Sequence, residues 1–149
     1  MKKYNYSFLV MPKHLNPCGS LFGGQLFSWI DESVYMAVRS KFLKSSVTAK
    51  VENFQFLKGA ELNDLINIIV DINLVGRSSC SCDVKAYRGD SLKEEIASSQ
   101  FVMVGINNSG EKINLKDLNE KTYSNKSNSH LSTYKENLTK AYLYISNKL

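Results

Sequence analysis

Apolar residues recur at helical spacing along one long segment near the start of the chain, from Gly23 to about Leu43. At about 1.5 Å per residue, this segment predicts a helix of roughly 30 Å. Its apolar positions are Leu26, Phe27, Ile30, Val34, Ala37, Val38 and Phe42. Because Trp29, Tyr35 and Met36 widen the apolar face, we expect a central helix that is covered on most of its sides.

Strand patterns surround this helix. Residues 4–11 predict a first strand that ends at Pro12. Glycine- and asparagine-rich turns separate four further predicted strands, which are residues 46–57, 65–75, 79–88 and 95–107. One strand, a buried helix and then four antiparallel strands form an α+β arrangement in which the sheet must wrap around the helix.

Alternation within the strands predicts which side chains share a face. The predicted faces are Ile66, Ile68, Val70, Ile72 and Leu74, then Cys80, Cys82, Val84 and Ala86, then Ile96, Val102, Val104 and Ile106. In residues 46–57 the alternation changes phase near Asn53, which predicts a β-bulge there.

The composition changes towards the end of the chain. Residues 120–130 are polar and low in complexity, which is typical of a linker. Thr133 and Glu136 then fit a capping box, and the apolar positions that follow predict an amphipathic helix. We therefore expect a main domain of residues 1–119 and a linker with an extra C-terminal helix in residues 120–149. This helix would pack on the body or on a partner subunit, or else dock on a membrane surface or a regulatory partner.

Overall composition narrows the class of protein. A chain of 149 residues with 43% hydrophobic and 22% charged residues suits a single folded domain. It has no apolar run of the ~20 residues needed to cross a bilayer, and we expect neither a membrane span nor a signal peptide. Three cysteines, two of them on one strand face, favour reduced thiols and a cytoplasmic location. The net charge of +5 favours anionic ligands, but no basic stripe indicates nucleic-acid binding.

The segment from Asn16 to Asp31 is the most informative for chemistry. Asn16 opens a Pro/Gly turn, Gly23 and Gly24 begin the helix, and Asp31 follows about two turns later. On structural grounds alone, these are a turn, a flexible helix start and a solvated carboxylate. Chemically, an amide and bare N–H groups at a helix start can polarise a carbonyl group. A carboxylate at the border of an apolar stripe can act as a general base.

Other reactive residues form weaker patterns. Gly76-Arg77-Ser78-Ser79 predicts a turn that also offers N–H groups and a guanidinium to a phosphate. Cys80 and Cys82 have no second cluster at metal-ligand spacing, so we expect no metal. His14 and Cys18 make only a weak case for a thiol–imidazole pair, and there is no Walker or dinucleotide glycine pattern.

Several short motifs together support a family resemblance. They are Asn16-x-x-Gly19-x-Leu21-Phe22-Gly23-Gly24, Trp29-x-Asp31, Val47-Thr48, Phe56-Leu57-Lys58 and Val75-Gly76-Arg77-Ser78-Ser79. Over about residues 5–118 the sequence resembles the hotdog-fold acyl-CoA thioesterases, the YciA-like and cytosolic acyl-CoA hydrolase group. The resemblance implies the hotdog fold, dimers that join two sheets edge to edge, and commonly a trimer of dimers. It also implies active sites shared between subunits, with Asp31 from one chain and Asn16 from the other.

The resemblance further implies a cytoplasmic thioesterase that hydrolyses acyl-CoA to a free acid and CoA without a metal or organic cofactor. Asp31 would be the general base on water, or the nucleophile, while Asn16 and the Gly24 N–H polarise the thioester carbonyl. The residues that would hold CoA are Gly76, Arg77, Ser78 and Lys58. The alternative is a hotdog module that binds acyl-CoA without turnover, as a sensor or carrier. Gly59, residues 61–64 and Cys18 depart from the usual family pattern.

Overall fold

The computed structural model of the protein describes residues 3–118. Its elements in chain order are β1 (Lys3–Leu9), a 3-10 turn (Pro12–His14), α1 (Gly23–Phe42), β2 (Ser45–Phe56), β3 (Leu65–Val75), β4 (Ser79–Arg88) and β5 (Glu94–Ile106). Each predicted strand and the predicted helix are confirmed to within two residues at either end. Residues 115–118 form a last helical turn. The predicted linker and C-terminal helix, residues 120–149, lie outside the described residues.

The five strands form one antiparallel sheet in the order β1-β3-β4-β5-β2. α1 contacts all five strands, so the predicted sheet wrapped around a helix is confirmed. The helix ends where Leu43 adopts a left-handed conformation, with φ of 55°, and its N–H bonds to the Arg39 carbonyl. That cap turns the chain sharply, so β2 runs back antiparallel to α1.

The core lies between α1 and the inner face of the sheet. Ile30, Val34 and Ala37 of the helix are fully buried there. The predicted inward positions of β3 and β4 are confirmed from Ile66 to Ile72 and from Cys80 to Ala86, because every second residue is buried.

The predicted face is wrong at four positions, one in β3 and three in β5, and in each strand the error follows a β-bulge. Between Ile72 and Leu74 the register of β3 on β4 shifts by one residue, so Leu74 points outward and is 73% exposed. In β5, Ile96 is the extra residue where the register shifts against β4, and Ile96 and Ala97 are both buried. Beyond the bulge, the inward and outward positions of β5 are therefore exchanged. Phe101 and Met103 face the core in place of the predicted Val102, Val104 and Ile106.

The predicted bulge in β2 is confirmed. The register against β5 shifts between Glu52 and Gln55, and Asn53 has φ of 51°. β2 is also an edge strand, with much of its length exposed.

The expectation that α1 is covered on most sides is wrong within residues 3–118. Tyr35 is 38% exposed and Met36 is 36% exposed, although Trp29 is buried as expected. The apolar face of the helix is wider than the area that one sheet covers. A large apolar strip therefore remains open beside β2.

Of the glycines in the described residues, Gly105 has the least room for a side chain. A Cβ there would lie 2.5 Å from Leu115 Cδ2 and 3.0 Å from Ile113 Cγ1. We expect Gly105→Ala to lower the free energy of unfolding by about 1–3 kcal/mol, because the added methyl group overpacks this contact. Urea unfolding followed by circular dichroism measures the change. Gly59→Ala is the matched control because no heavy atom lies within 4 Å of the point that its Cβ would occupy; equal effects of the two substitutions would contradict the packing argument.

Candidate active site

Asn16 is fixed by the turn that it opens. Its Oδ1 accepts hydrogen bonds from the N–H of Cys18 at 2.9 Å and of Ser20 at 3.1 Å. Its own N–H donates to the Ser20 carbonyl at 2.7 Å. With Oδ1 occupied, the side-chain nitrogen is left as the free donor within residues 3–118. Asn16 also lines a cavity of about 390 Å³, so this donor is available to a ligand.

The start of α1 supplies further donors beside the same cavity. The helix begins without a side-chain cap, and its first bonds to Phe22 O come from Gln25 and Leu26. The N–H groups of Gly23 and Gly24 therefore have no partner in the described part of the chain, and they lie at the positive end of the helix dipole. Gly23 lines the Asn16 cavity, whereas Gly24 follows on the exposed side. An oxyanion would be stabilised here.

Asp31 lies about 12 Å further along the helix axis, given the rise per residue. It is half-buried at the border of the apolar face, as its sequence position predicts. Thr48 Oγ1 donates a hydrogen bond to Asp31 Oδ1 at 2.6 Å. Thr48 Oγ1 also lies 3.5 Å from Met103 Sδ. The short bond from β2 fixes the carboxylate and leaves its second oxygen to meet a ligand.

Asp31 and Thr48 line a second cavity, of about 480 Å³, at the open apolar strip of α1. The other residues around it are Glu32, Tyr35, Met36, Ser46, Val47 and Met103. None of the residues that line this cavity also lines the Asn16 cavity. One chain therefore presents a carboxylate in an apolar cavity and, separately, a cavity with amide donors.

Thr48 is the site residue that the sequence reasoning misses. The Val47-Thr48 pair enters that reasoning only as part of a motif, without a role of its own. The sequence does contain a signal for this contact. The chain reverses direction after α1, so a hydroxyl early in β2 lies beside the middle of the helix.

The predicted Gly76–Ser78 turn is confirmed, and its backbone is held firmly. Gly76 N–H donates to Ser79 O at 2.8 Å, and Ser78 O accepts from Gly105 N at 3.0 Å. Arg77 O accepts from Leu115 N at 2.7 Å. The Arg77 side chain is exposed and forms no ion pair within residues 3–118, so its charge is free to meet an anion.

Lys58 lies far from that turn in the same chain. It follows the end of β2, which pairs with the start of β5, whereas Ser79 pairs with Val104 near the end of β5. The seven residues between these points span roughly 23 Å of strand. Lys58 Nζ pairs with Glu94 at 3.2 Å, and Arg88 Nε bonds to the same carboxylate at 2.7 Å. These partners, Arg88 first and Lys58 second, lower the pKa of Glu94.

His14, Cys80 and Cys82 have partners of their own, and Cys18 is exposed. His14 Nδ1 accepts the N–H of Met11 at 3.0 Å, and its ring packs edge-on against Trp29. Cys82 donates a hydrogen bond to Cys80, which lowers the pKa of Cys80. The same bond, together with burial, raises the pKa of Cys82. Among residues 3–118, no group of three His, Cys, Asp or Glu side chains could hold a metal. No helix in that range is long and apolar enough to span a bilayer.

Comparison with known proteins settles the family. The family model described as the thioesterase superfamily matches residues 18–95, which is more than half of the chain. The chain belongs to the thioesterase superfamily. Helicobacter pylori VdlD is 30% identical over 105 residues, which cover 68% of this chain and 60% of VdlD. This thioesterase-superfamily chain therefore matches less than two thirds of that relative's length.

A second relative has a described activity, and a solved structure shows the same fold. The Buchnera aphidicola protein BU274, described as an uncharacterized acyl-CoA thioester hydrolase, is 25% identical over 69% of this chain and 81% of its own length. The solved structure of Cj0915, a hexameric hotdog fold thioesterase of Campylobacter jejuni, superposes with a TM-score of 0.71. It is 22% identical, over 80% of this chain and 94% of Cj0915. The fold of this superfamily member is thus the hotdog fold, as the sequence resemblance implied.

The Thr48 hydroxyl is predicted to position Asp31. Because hydrogen bonds to charged groups contribute about 1.5–3 kcal/mol, we expect Thr48→Val to lower kcat for thioester hydrolysis roughly tenfold to a hundredfold. KM should change little, and Thr48→Ser should restore most of the rate. Steady-state kinetics of the three proteins test this. If Thr48→Val and Thr48→Ser are equally impaired, the hydroxyl has no positioning role.

Proposed function

We propose that the protein is an acyl-CoA thioesterase, which hydrolyses acyl-CoA to a free carboxylic acid and CoA. The observation that carries this proposal is Asp31, a carboxylate held by Thr48 at 2.6 Å in an apolar cavity of a thioesterase-superfamily chain. An apolar cavity suits an acyl chain, and a fixed carboxylate at its wall suits activation of water. The description of BU274 as an acyl-CoA thioester hydrolase supports the same substrate class.

In the proposed reaction, Asp31 accepts a proton from water as the water oxygen bonds to the thioester carbonyl carbon. The carbonyl electrons move onto its oxygen, and the resulting oxyanion accepts hydrogen bonds from Asn16 Nδ2 and the Gly24 N–H. The carbon–sulfur bond then breaks, and its electron pair leaves with the sulfur. The proton on Asp31 passes to the CoA thiolate, which restores the carboxylate. Direct attack by Asp31 through an anhydride is the less favoured variant.

The proposed active site is shared between two chains. Supporting this, Asn16 and Asp31 line separate cavities, and within residues 3–118 α1 leaves an apolar strip open and β2 is a free sheet edge. A second copy placed edge to edge on β2 would cover the strip and bring one chain's Asn16 to the other's Asp31. Such a dimer is the minimum active unit, and three dimers would form a hexamer, the state in which Cj0915 was solved.

CoA is proposed to bind through its phosphates at the Gly76–Ser78 turn. The exposed Arg77 guanidinium is the main contact, with Ser78 beside it. Lys58 lies too far along the sheet to join Arg77 in one chain, so its proposed contact with CoA comes from the partner subunit. The three free thiols, Cys18, Cys80 and Cys82, suit a reducing cytoplasm.

Asp31→Asn tests the general base. We expect kcat for acyl-CoA hydrolysis to fall roughly 10²–10⁴-fold, because the amide cannot accept the proton from water. CoA affinity and the melting temperature should stay near those of the unsubstituted protein. Release of free thiol from short, medium and long acyl-CoAs, followed with a thiol dye, measures the rate. Asp90→Asn, in an exposed turn, is the matched control.

Near-normal turnover by Asp31→Asn, with unchanged CoA binding, would reject the mechanism. Absence of turnover in the unsubstituted protein would instead bear on whether the protein is an enzyme. If the unsubstituted protein binds acyl-CoA but releases no thiol at any chain length, the sensor or carrier alternative is favoured.

Mixing two inactive variants tests the shared site. Asn16→Ala and Asp31→Asn chains should each be nearly inactive. When they are co-expressed in equal amounts, half of the dimers are mixed, and each mixed dimer holds one intact site. Because a two-fold dimer has two equivalent sites, we expect about a quarter of the unsubstituted activity to return. A mixture no more active than its parents would place both residues in a site within one chain.

A further inference from the structure

The Asp31 cavity is short along the helix. On α1 its lining residues run only from Asp31 to Met36, and on β2 only from Ser46 to Thr48. These spans correspond to about 7.5 Å of helix and about 6.6 Å of strand. The hydrogen-bonded Asp31 and Thr48 form one end. Within the described residues, the cavity extends from that end only towards the C-terminal end of α1.

The far end of this cavity is closed by the same chain. Only Leu43 and Lys44 join the end of α1 to the start of β2, so the helix and the strand converge there. On the side of α1 that carries Tyr35, the next apolar side chains are Val38 and Phe42, and both are buried. An acyl chain therefore has no room between α1 and β2 beyond Tyr35.

Tyr35 is the bulky side chain at the closed end. It follows Asp31 by four residues, so it lies about 6 Å further along the helix and is rotated only about 40° around its axis. Tyr35 is partly exposed and lines the cavity. Met36 also lines the cavity, but it is rotated about 140° from Asp31. Trp29 is equally bulky, but it is buried and stacks on Phe8 at 5.0 Å.

The separation of Asp31 and Tyr35 sets a length for the acyl group. In the proposed reaction the thioester carbonyl carbon lies beside Asp31. An extended chain advances about 1.25 Å per carbon, given carbon–carbon bonds of about 1.5 Å, so about five more carbons reach Tyr35. We propose that Tyr35 ends the acyl subsite, so that acyl groups of up to about six carbons are preferred over longer ones. This inference rests on the proposed function and names its substrate class.

The proposed second copy would cover the open side of the cavity and leave this end unchanged. The end is formed by α1, β2 and the connection between them, which all belong to one chain. Along the way to Tyr35, the side chains of Met36 and Met103 are apolar. Each methylene group that is buried against them favours binding until the chain meets the tyrosine ring.

The ratio of kcat/KM for hexanoyl-CoA to that for decanoyl-CoA tests the length limit. For the unsubstituted protein we expect a ratio of roughly ten or more, since one methylene group too many in an apolar pocket changes kcat/KM roughly 10–200-fold. Tyr35→Ala removes the ring, so the ratio should fall to about one or below. Tyr35→Phe keeps the ring and should keep the ratio. Tyr87→Ala is the matched control and should also keep it, because Tyr87 lines neither cavity.

Tyr35→Trp tests the limit in the opposite direction. A larger ring should shorten the subsite, so the ratio of kcat/KM for butyryl-CoA to that for hexanoyl-CoA should rise several-fold. This variant decides the question if Tyr35→Ala fails to fold, which circular dichroism would show. A change in the stated direction in either variant supports the proposal. If neither Tyr35→Trp nor a folded Tyr35→Ala changes its ratio, the proposal is overturned.

The failures can be told apart. If the unsubstituted protein hydrolyses decanoyl-CoA as fast as hexanoyl-CoA, the length limit is wrong and the proposed function stands. If it hydrolyses none of the three thioesters, the proposed function is rejected. Calorimetric binding then decides the subsite: affinity that rises from butyryl-CoA to hexanoyl-CoA and no further supports it, and any other trend overturns it.

Discussion

The burial of α1 against the inner face of the sheet is the contact on which the rest of the molecule depends. All five strands contact this helix, and its inward side chains, such as Ile30 and Val34, are completely buried. A helix of this length is fixed in rotation once its apolar side chains are packed. Asp31 follows Ile30 directly, so its place at the edge of the core is a consequence of packing. The carboxylate is half-buried because the residues beside it on the helix are packed into the core.

The polar groups at the two cavities are held by short hydrogen bonds, not by the core. Asn16 is locked by two backbone N–H groups within four residues, and Asp31 by a hydroxyl on the neighbouring strand. Such bonds orient a side chain without covering it, so each group keeps a free face towards its cavity. Preorganised groups of this kind need little rearrangement as charge develops in a transition state. A rigid core and two open cavities are therefore compatible in a small chain.

Sequence patterns are sufficient for the elements and for the placement of Asn16 and Asp31. They fail where a single residue changes the phase of a strand. Uninterrupted alternation assigns Leu74 and Val102 to the core, but an extra residue in β3 and in β5 turns each of them to the other face. A bulge depends on the register of two strands, which no single segment encodes. Thr48 is missed for a related reason, since its contact with Asp31 arises only when β2 lies against α1.

The two ends of the sheet differ in whether their cations are paired with carboxylates, and this difference affects which end can bind an anion. At the end where β5 begins, Lys58, Lys85 and Arg88 are each paired with a carboxylate of Glu94 or Glu95. At the other end, Arg77 forms no ion pair within residues 3–118. A paired cation must give up its partner, or share it, before it can meet a phosphate, whereas an unpaired one need not. Of these four cations, Arg77 is therefore the one that can meet an anion without giving up a carboxylate partner. This difference in pairing is consistent with the proposed binding of the CoA phosphates at the Gly76–Ser78 turn.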